Sequence, residues 1–173
     1  PHVSTRPGER RQWGQLSGSA AALTLANAAS AHRGLSLVVV SDTAGAQRLE
    51  SELAFFAPAG LEILHLADWE TLPYDTISPH QDIISERLRT LYQLPSVSQG
   101  ILVVPVTSLL QRLMPKTYLL GGSLMLKVEE SLNPDTLRHN WTQAGYRAVD
   151  TVYEHGEFAV RGSLIDIFPM GSE

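Results

Sequence analysis

The sequence predicts an α/β domain built on a largely parallel sheet, followed by the start of a smaller α+β region. Three observations carry this. Helix-like and strand-like stretches alternate through the first two thirds of the chain, the order in which crossover helices link parallel strands. Two strand-like stretches, Leu35 to Val40 and Ile101 to Val106, are apolar runs of the kind expected of strands buried on both faces. Near Tyr118 the texture changes to Gly121-Gly122 and short β-rich segments around a single helix.

Each element has a local reason. Pro1 to about Gln15 is a polar, proline-bearing lead-in expected to be irregular. Leu16 to His32 is alanine-rich and reads as a helix, with Ser17 or Ser19 as N-cap and Gly34 placed to end it. After the first strand, Asp42 or Thr43 caps a helix to Phe56 that carries Leu49, Leu53 and Phe56 on one face. Leu61 to Leu66 is a second strand, and Ala67 to Ser78 is a loop with an unusual Trp/Pro/Tyr content. Ser78, Pro79 and Gln81 spell an N-cap, N1 and N3 pattern for a helix to about Gln93 that buries Ile84, Leu88 and Leu91. The third strand, Ile101 to Val106, leads into a short helix from Thr107 that stops before Pro115.

Beyond residue 118 the expected elements are a strand over Ser123 to Val128, a helix from Asn133-Pro134 to Gly145, and a strand-like stretch from Arg147 to Tyr153. The helix presents Leu137, Trp141 and Ala144. In the final stretch Phe158 and Val160 alternate with Glu157, Ala159 and Arg161, the period of a half-buried strand. Gly162 interrupts that pattern and marks a bulge or a sharp bend before Leu164 to Phe168. Residues 1–117 are thus read as one domain and residues 118–173 as the first part of a second, with too few elements to close a core alone.

Composition narrows the function classes. The chain has no Cys, so it has no disulfide, thiolate metal site or cysteine nucleophile. This fits a reducing, cytoplasmic setting, and no apolar run is long enough to span a bilayer. The formal charge is −5, with Lys116 and Lys127 the only lysines, so no basic stripe for nucleic acid is visible. Arg10-Arg11 and Arg87 with Arg89 are the only local concentrations of cations, and both read as solvated.

Tests for chemistry are mostly negative. A phosphate-binding loop of the form G-x-x-x-x-G-K-[ST] cradles phosphates with backbone amides and reaches the outer oxygens with its Lys. The matching place here contains Gly18, Ser19, Ala20, Ala21 and Ala22, with no Lys nearby; as an ATP site the motif is broken. His155 and Glu157 resemble the first half of a zinc-deaminase signature whose cysteine half is absent. The six His are scattered, so no metal site is expected. Asp68 and Glu70 could form an acid/base pair but read as cap and packing residues. No catalytic residue, cofactor or metal is therefore assigned to this segment. The competing enzymatic reading is an α/β nucleotide hydrolase with a non-standard phosphate loop around Ser17 to Ser19, and direct DNA binding is the least favoured.

Two segments carry a resemblance. Ala67-Asp68-Trp69-Glu70-Thr71-Leu72-Pro73-Tyr74-Asp75 with Ser78-Pro79-His80-Gln81-Asp82-Ile83-Ile84 is the first. The second runs from Gly145-Tyr146-Arg147 through Glu154-His155-Gly156-Glu157-Phe158 and Arg161-Gly162 to Ile165-Asp166-Ile167-Phe168-Pro169. Together they resemble the UvrB-like N-terminus of the bacterial transcription-repair coupling factor family, Mfd, from about residue 13 onward; the second segment is shared with the excision-repair protein UvrB.

The resemblance implies a helicase-type, P-loop-NTPase-like first domain whose P-loop has degenerated. ATP and Mg would then serve a RecG-like DNA translocase module elsewhere in the parent protein. UvrB carries a tyrosine-rich, damage-probing hairpin after the second strand; here a short loop follows Leu66, so that role is not carried over. The second domain is implied to dock onto UvrA through Arg161, with Phe158 as apolar support and Glu157 and Arg147 as further contacts. UvrB has another arginine where Ala159 stands, and the family's last UvrA-contact strand would follow Glu173. RNA polymerase and double-stranded DNA are implied partners of other domains, and a C-terminal domain is implied to mask the UvrA surface.

Overall fold

The computed structural model describes residues 6–72, 74–121, 128–129 and 131–172, with the side chains of residues 120 and 121 also outside the description. Packing divides the chain into two compact units, Pro1–Asp68 with Gln93–Arg112 and Trp69–Tyr92 with Leu113–Glu173. The sequence boundary at residue 118 differs from this division, because the segment from Trp69 to Tyr92 groups with the later residues.

The first unit opens with helix α1 (Ala20–Ala31), whose N-cap is Ser19 without a side-chain cap bond. Its end is held from a distance: the Gln99 amide donates toward the carbonyls of Ala29, Ser30 and His32 at 3.0, 2.9 and 2.9 Å, satisfying acceptors that a helix terminus leaves open. Strand β1 (Leu35–Val40) follows, then helix α2 (Thr43–Phe56), capped by Asp42, which accepts from the Gly45 N–H at 2.7 Å. That bond and the Ser41 hydroxyl hold the Asp42 carboxyl below its ordinary pKa. Strand β2 (Glu62–His65) and strand β3 (Gly100–Pro105) complete a parallel sheet of order β1-β3-β2.

One face of this sheet packs Val38, Val40, Ile63, Ile101 and Val103 against Ala22, Ala26 and Ala29 of α1 and Ala46 and Leu53 of α2. Alanines let the helix approach closely, which explains the composition of α1. The expectation that β1 is buried on both faces is corrected. β1 is an edge strand, and Leu35, Leu37 and Val39 are exposed on its second face. Only the central β3 is buried along its whole length.

In the second unit, helix α3 (Gln81–Gln93) starts three residues after Ser78, so the predicted Ser78 capping box is not what opens it. His80 takes that place: its Nδ1 accepts from the Asp82 N–H at 3.3 Å, and its carbonyl receives the first helical bond from Ile84. Ile84, Leu88 and Leu91 are half-buried, while Ser85, Arg87 and Thr90 are the residues buried most deeply. Arg87, read from the sequence as solvated, is 2% exposed and stacks over the Trp69 ring at 4.2 Å. A planar guanidinium on an aromatic face can be buried at lower cost than an ammonium.

A 3₁₀ turn (Leu94–Ser96) precedes β3, and helix α4 (Val106–Leu109) follows it in the first unit. There Thr107 Oγ1 donates to the Asp68 carboxylate and Ser108 Oγ to the Ala67 carbonyl, so Asp68 is a structural acceptor. Helix α5 (Lys116–Gly121) was not anticipated; its first turn bonds back to the Pro115 carbonyl. The expected strand over Ser123 to Val128 falls at residues 123–127 outside the described residues, and Val128 lies in a turn.

Helix α6 (Pro134–Gln143) forms as its caps dictate. Asn133 Oδ1 accepts from the Asp135 and Thr136 N–H groups. Gly145, at φ +92°, allows the Tyr146 N–H to reach the Trp141 carbonyl and its own N–H to reach Thr142. Of the predicted apolar face, Leu137 and Trp141 are buried, whereas Ala144 sits exposed at the C-cap. Strands β4 (Arg147–Ala148), β5 (Glu157–Arg161) and β6 (Leu164–Phe168) form a mixed sheet, β4 parallel and β6 antiparallel to β5. The strand expected from Arg147 to Tyr153 stops at Ala148: the Val149 N–H still reaches the Phe158 carbonyl, but further on the Tyr153 and Glu154 N–H groups donate to the Glu157 carboxylate.

Candidate partner-binding face

The four candidate contact residues divide sharply by position. Phe158 is 1% exposed and packs edge-to-face on Trp141, ring centroids 5.2 Å apart, in a cluster completed by Leu137, Tyr146, Val160, Ile165 and Ile167. It is a core residue, and its position leaves no surface for a partner. The apolar support assigned to Phe158 is therefore corrected by the direction in which β5 faces.

Glu157 is also internal, at 6% exposure. Its Oε2 accepts from the Tyr153 and Glu154 N–H groups, each at 2.9 Å, and its Oε1 accepts from Arg147 Nη2 at 2.8 Å. The two backbone donors, reinforced by the Arg147 charge, keep the carboxyl below its ordinary pKa against the opposing effect of burial. Arg147 also reaches Glu154 at 2.9 Å. Glu157 and Arg147 thus tie the turn from Val149 to Gly156 onto the sheet, and Arg147 places a donor nitrogen on carboxylates of its own unit.

Arg161 is different. It ends β5 at the tip of a hairpin, with its side chain 58% exposed and paired with Asp166 of β6. Asp166 lies opposite Ala159, so the pair is a cross-strand diagonal, within reach of a long arginine. The bend that the sequence placed at Gly162 is the two-residue turn of this hairpin. Gly162 has φ +62° and Ser163 is not among the positive-φ residues, as a turn with glycine in its first position requires.

At the degenerate phosphate loop, Gly18 and Ala21 border an open cavity of about 500 Å³ that Ser41, Arg48 and Glu52 also line. Ser19 is the helix N-cap, and Ala20, Ala21 and Ala22 form the first turn of α1. The donor set lacks an ammonium for the outer phosphates. Its Ser41 hydroxyl is spent on Asp42 at 2.8 Å, and Glu52 adds a carboxylate. These residues do not fit a Mg-nucleotide held in P-loop fashion. Among the described residues, no group of three or more His, Asp or Glu is placed to hold a metal ion, and no helix is long and apolar enough to cross a membrane.

Comparison with known proteins bears on the hairpin directly. Residues 124–173 match the family model described as the UvrB interaction domain. The chain is 49% identical over 171 residues to the transcription-repair-coupling factor of Escherichia coli (strain K12), covering 99% of this chain and 15% of that protein. The chain belongs to the transcription-repair-coupling factor family. Within that family it is 42% identical over 172 residues to the Haemophilus influenzae protein, again 99% of this chain and 15% of the relative. It is 32% identical over 138 residues to the Staphylococcus aureus (strain USA300) protein, 79% of this chain and 12% of the relative. The chain therefore spans about 15% of the length of the Escherichia coli and Haemophilus influenzae coupling factors. The family is one of DNA repair, and the β5–β6 hairpin falls inside its UvrB-like interaction segment.

Sequence reasoning missed Leu164 and Asp166 as neighbours of Arg161. The signal lay in the hairpin register: a two-residue turn at Gly162-Ser163 sets Arg161 opposite Leu164 and puts Asp166 one diagonal away.

Proposed function

We propose that this segment is a UvrA-docking module of a transcription-repair coupling factor, recruiting UvrA to RNA polymerase stalled at damaged DNA. The observation that supports this reading best is Arg161. It stands exposed at a hairpin tip inside the segment matching the UvrB interaction domain. Its guanidinium has five donors, and Asp166 engages Nη2, so the rest of the fork can receive a partner carboxylate in charge-assisted, bidentate geometry. Functionally we divide the chain at residue 118: residues 1–117 supply a UvrB-like scaffold with a degenerate phosphate loop, and residues 118–173 supply the first part of the UvrA-binding domain. Glu157 and Arg147 serve this contact indirectly, by holding the turn beside β5, and Phe158 does so by filling the core beneath it.

In the same reading the segment is not itself an enzyme. ATP and Mg belong to a translocase module elsewhere in the cytoplasmic parent protein, which also meets RNA polymerase and double-stranded DNA. A C-terminal domain of the parent masks the UvrA surface until polymerase is engaged. Arg161→Glu in the full-length coupling factor, engaged with RNA polymerase stalled on DNA so that the surface is unmasked, should abolish capture of purified UvrA, while the thermal melt of the free variant stays nearly unchanged. Wild-type capture by that variant would remove Arg161 and the docking reading together.

A further inference from the structure

The face that carries Arg161 also carries one exposed large apolar side chain, and the two are direct cross-strand neighbours. Arg161 pairs with Leu164 in the β5–β6 register, so both side chains leave the sheet on the same side. Leu164 is 56% exposed; among the described residues of β5 and β6 it is the only large apolar residue that is. Phe158, Val160, Ile165 and Ile167 point to the opposite face, into the cluster around Trp141. Phe168, at the far end of the hairpin on the Arg161 side, is half-buried and lies tilted against the His155 ring, centroids 4.0 Å apart. At the tip itself the space beside Gly162 is open, with no heavy atom within 4 Å of where a Cβ would stand.

A single exposed leucine is ordinary on a protein surface. This one is distinguished by its partner across the strand. An arginine–carboxylate contact contributes most when water is excluded from around it, and interface anchors are typically ringed by groups that do this. Cross-strand neighbours stand about 5 Å apart at Cβ, which places the Leu164 methyl groups where they could shield one flank of the Arg161 fork. Asp166 borders another flank.

We infer that Leu164 is the apolar half of the contact whose charged half is Arg161. It seats against an apolar spot on UvrA that lies beside the carboxylate received by the guanidinium. This rests on the docking reading above. It assigns to Leu164 the role that Phe158, turned into the core, cannot fill.

The test is a titration of purified UvrA with the full-length coupling factor and three variants, each engaged with RNA polymerase stalled on DNA so that the surface is unmasked, and each at low and high salt. Leu164→Met keeps an apolar side chain of similar volume and should bind within about 2-fold of wild type. Leu164→Gln keeps the length but not the apolar character, and should weaken binding about 5- to 20-fold, equally at both salt concentrations. Arg161→Glu should lose binding altogether, and salt should narrow its gap from wild type because that defect is charge repulsion. Equal binding by the Met and Gln variants, whether both strong or both weak, overturns the assignment of Leu164 while leaving the Arg161 contact standing. Wild-type binding by Arg161→Glu instead removes the docking reading on which the inference rests.

Discussion

Glu157 is a carboxylate that the second unit uses in its ionised form. Two backbone N–H groups and Arg147 converge on it inside the protein, and a neutral amide whose one oxygen faced the two backbone donors would turn its NH2 group toward the Arg147 guanidinium. The carboxyl titrates below its unfolded value. The stability it contributes is therefore present above the unfolded pKa and is lost as pH falls through the folded one. Glu157→Gln should melt at a lower temperature than wild type at neutral pH, and the difference should shrink as pH is lowered through and below the carboxylate range. Thermal melts across that range check this; a difference independent of pH would mean that packing, not ionisation, is what Glu157 supplies. Arg161 and Asp166 contrast with it, since exposed ion pairs contribute at most about 1 kcal/mol. Their replacement should leave the fold intact, which makes binding losses at Arg161 interpretable.

At the scale of elements, the helix ends carry the most local information and the sheet faces the least. Asn133 and Gly145 fix α6, and Asp42 fixes the start of α2, because caps depend on a few adjacent residues. The C-terminus of α1 depends on Gln99 instead, some seventy positions away, and nothing local reveals that. Gln99→Ala should cost about 1–3 kcal/mol, read by denaturant unfolding, because several helix-end carbonyls lose one shared donor. A loss under about 0.5 kcal/mol would show that water replaces the amide freely. Faces were ambiguous for a physical reason. An apolar run has the same composition whether or not its second face is covered, so β1 could not be recognised as an edge strand. Alternation along β5 separated two residue sets without a sign, since Glu157 and Ala159 are as deeply buried as Phe158. What was legible was the parallel sheet, the hairpin bend at Gly162 and the exposed arginine beside it. The inward turn of Phe158, the outward turn of Leu164 and the burial of Arg87 against Trp69 all depend on contacts between separate segments.

At the scale of the whole molecule, α3 is the element whose membership matters most. By sequence order it belongs with the parallel sheet, yet it falls in the compact unit that carries β4, β5 and β6. The Gly171 N–H donates to Ser85 Oγ at 2.8 Å, His155 Nε2 stands 3.9 Å from the Asp82 carboxylate, and Gly171 lies against the Arg89 backbone. Ser85 is itself buried. The His155–Asp82 approach joins the first resemblance segment, which contains the start of α3, to the second, which contains the Arg161 hairpin. Cooperative units of a protein open together and exchange their amide hydrogens together. A destabilising change in the core beneath the hairpin should therefore be felt in α3. Trp141→Ala removes the ring that packs on Phe158 and should cost about 3–5 kcal/mol. Hydrogen exchange in that variant should quicken across β5, β6 and α3, while α1, α2 and the parallel strands keep their wild-type protection. Unchanged protection in α3 beside lost protection in β5 would detach the helix from the second unit and restore the division at residue 118 as a structural boundary.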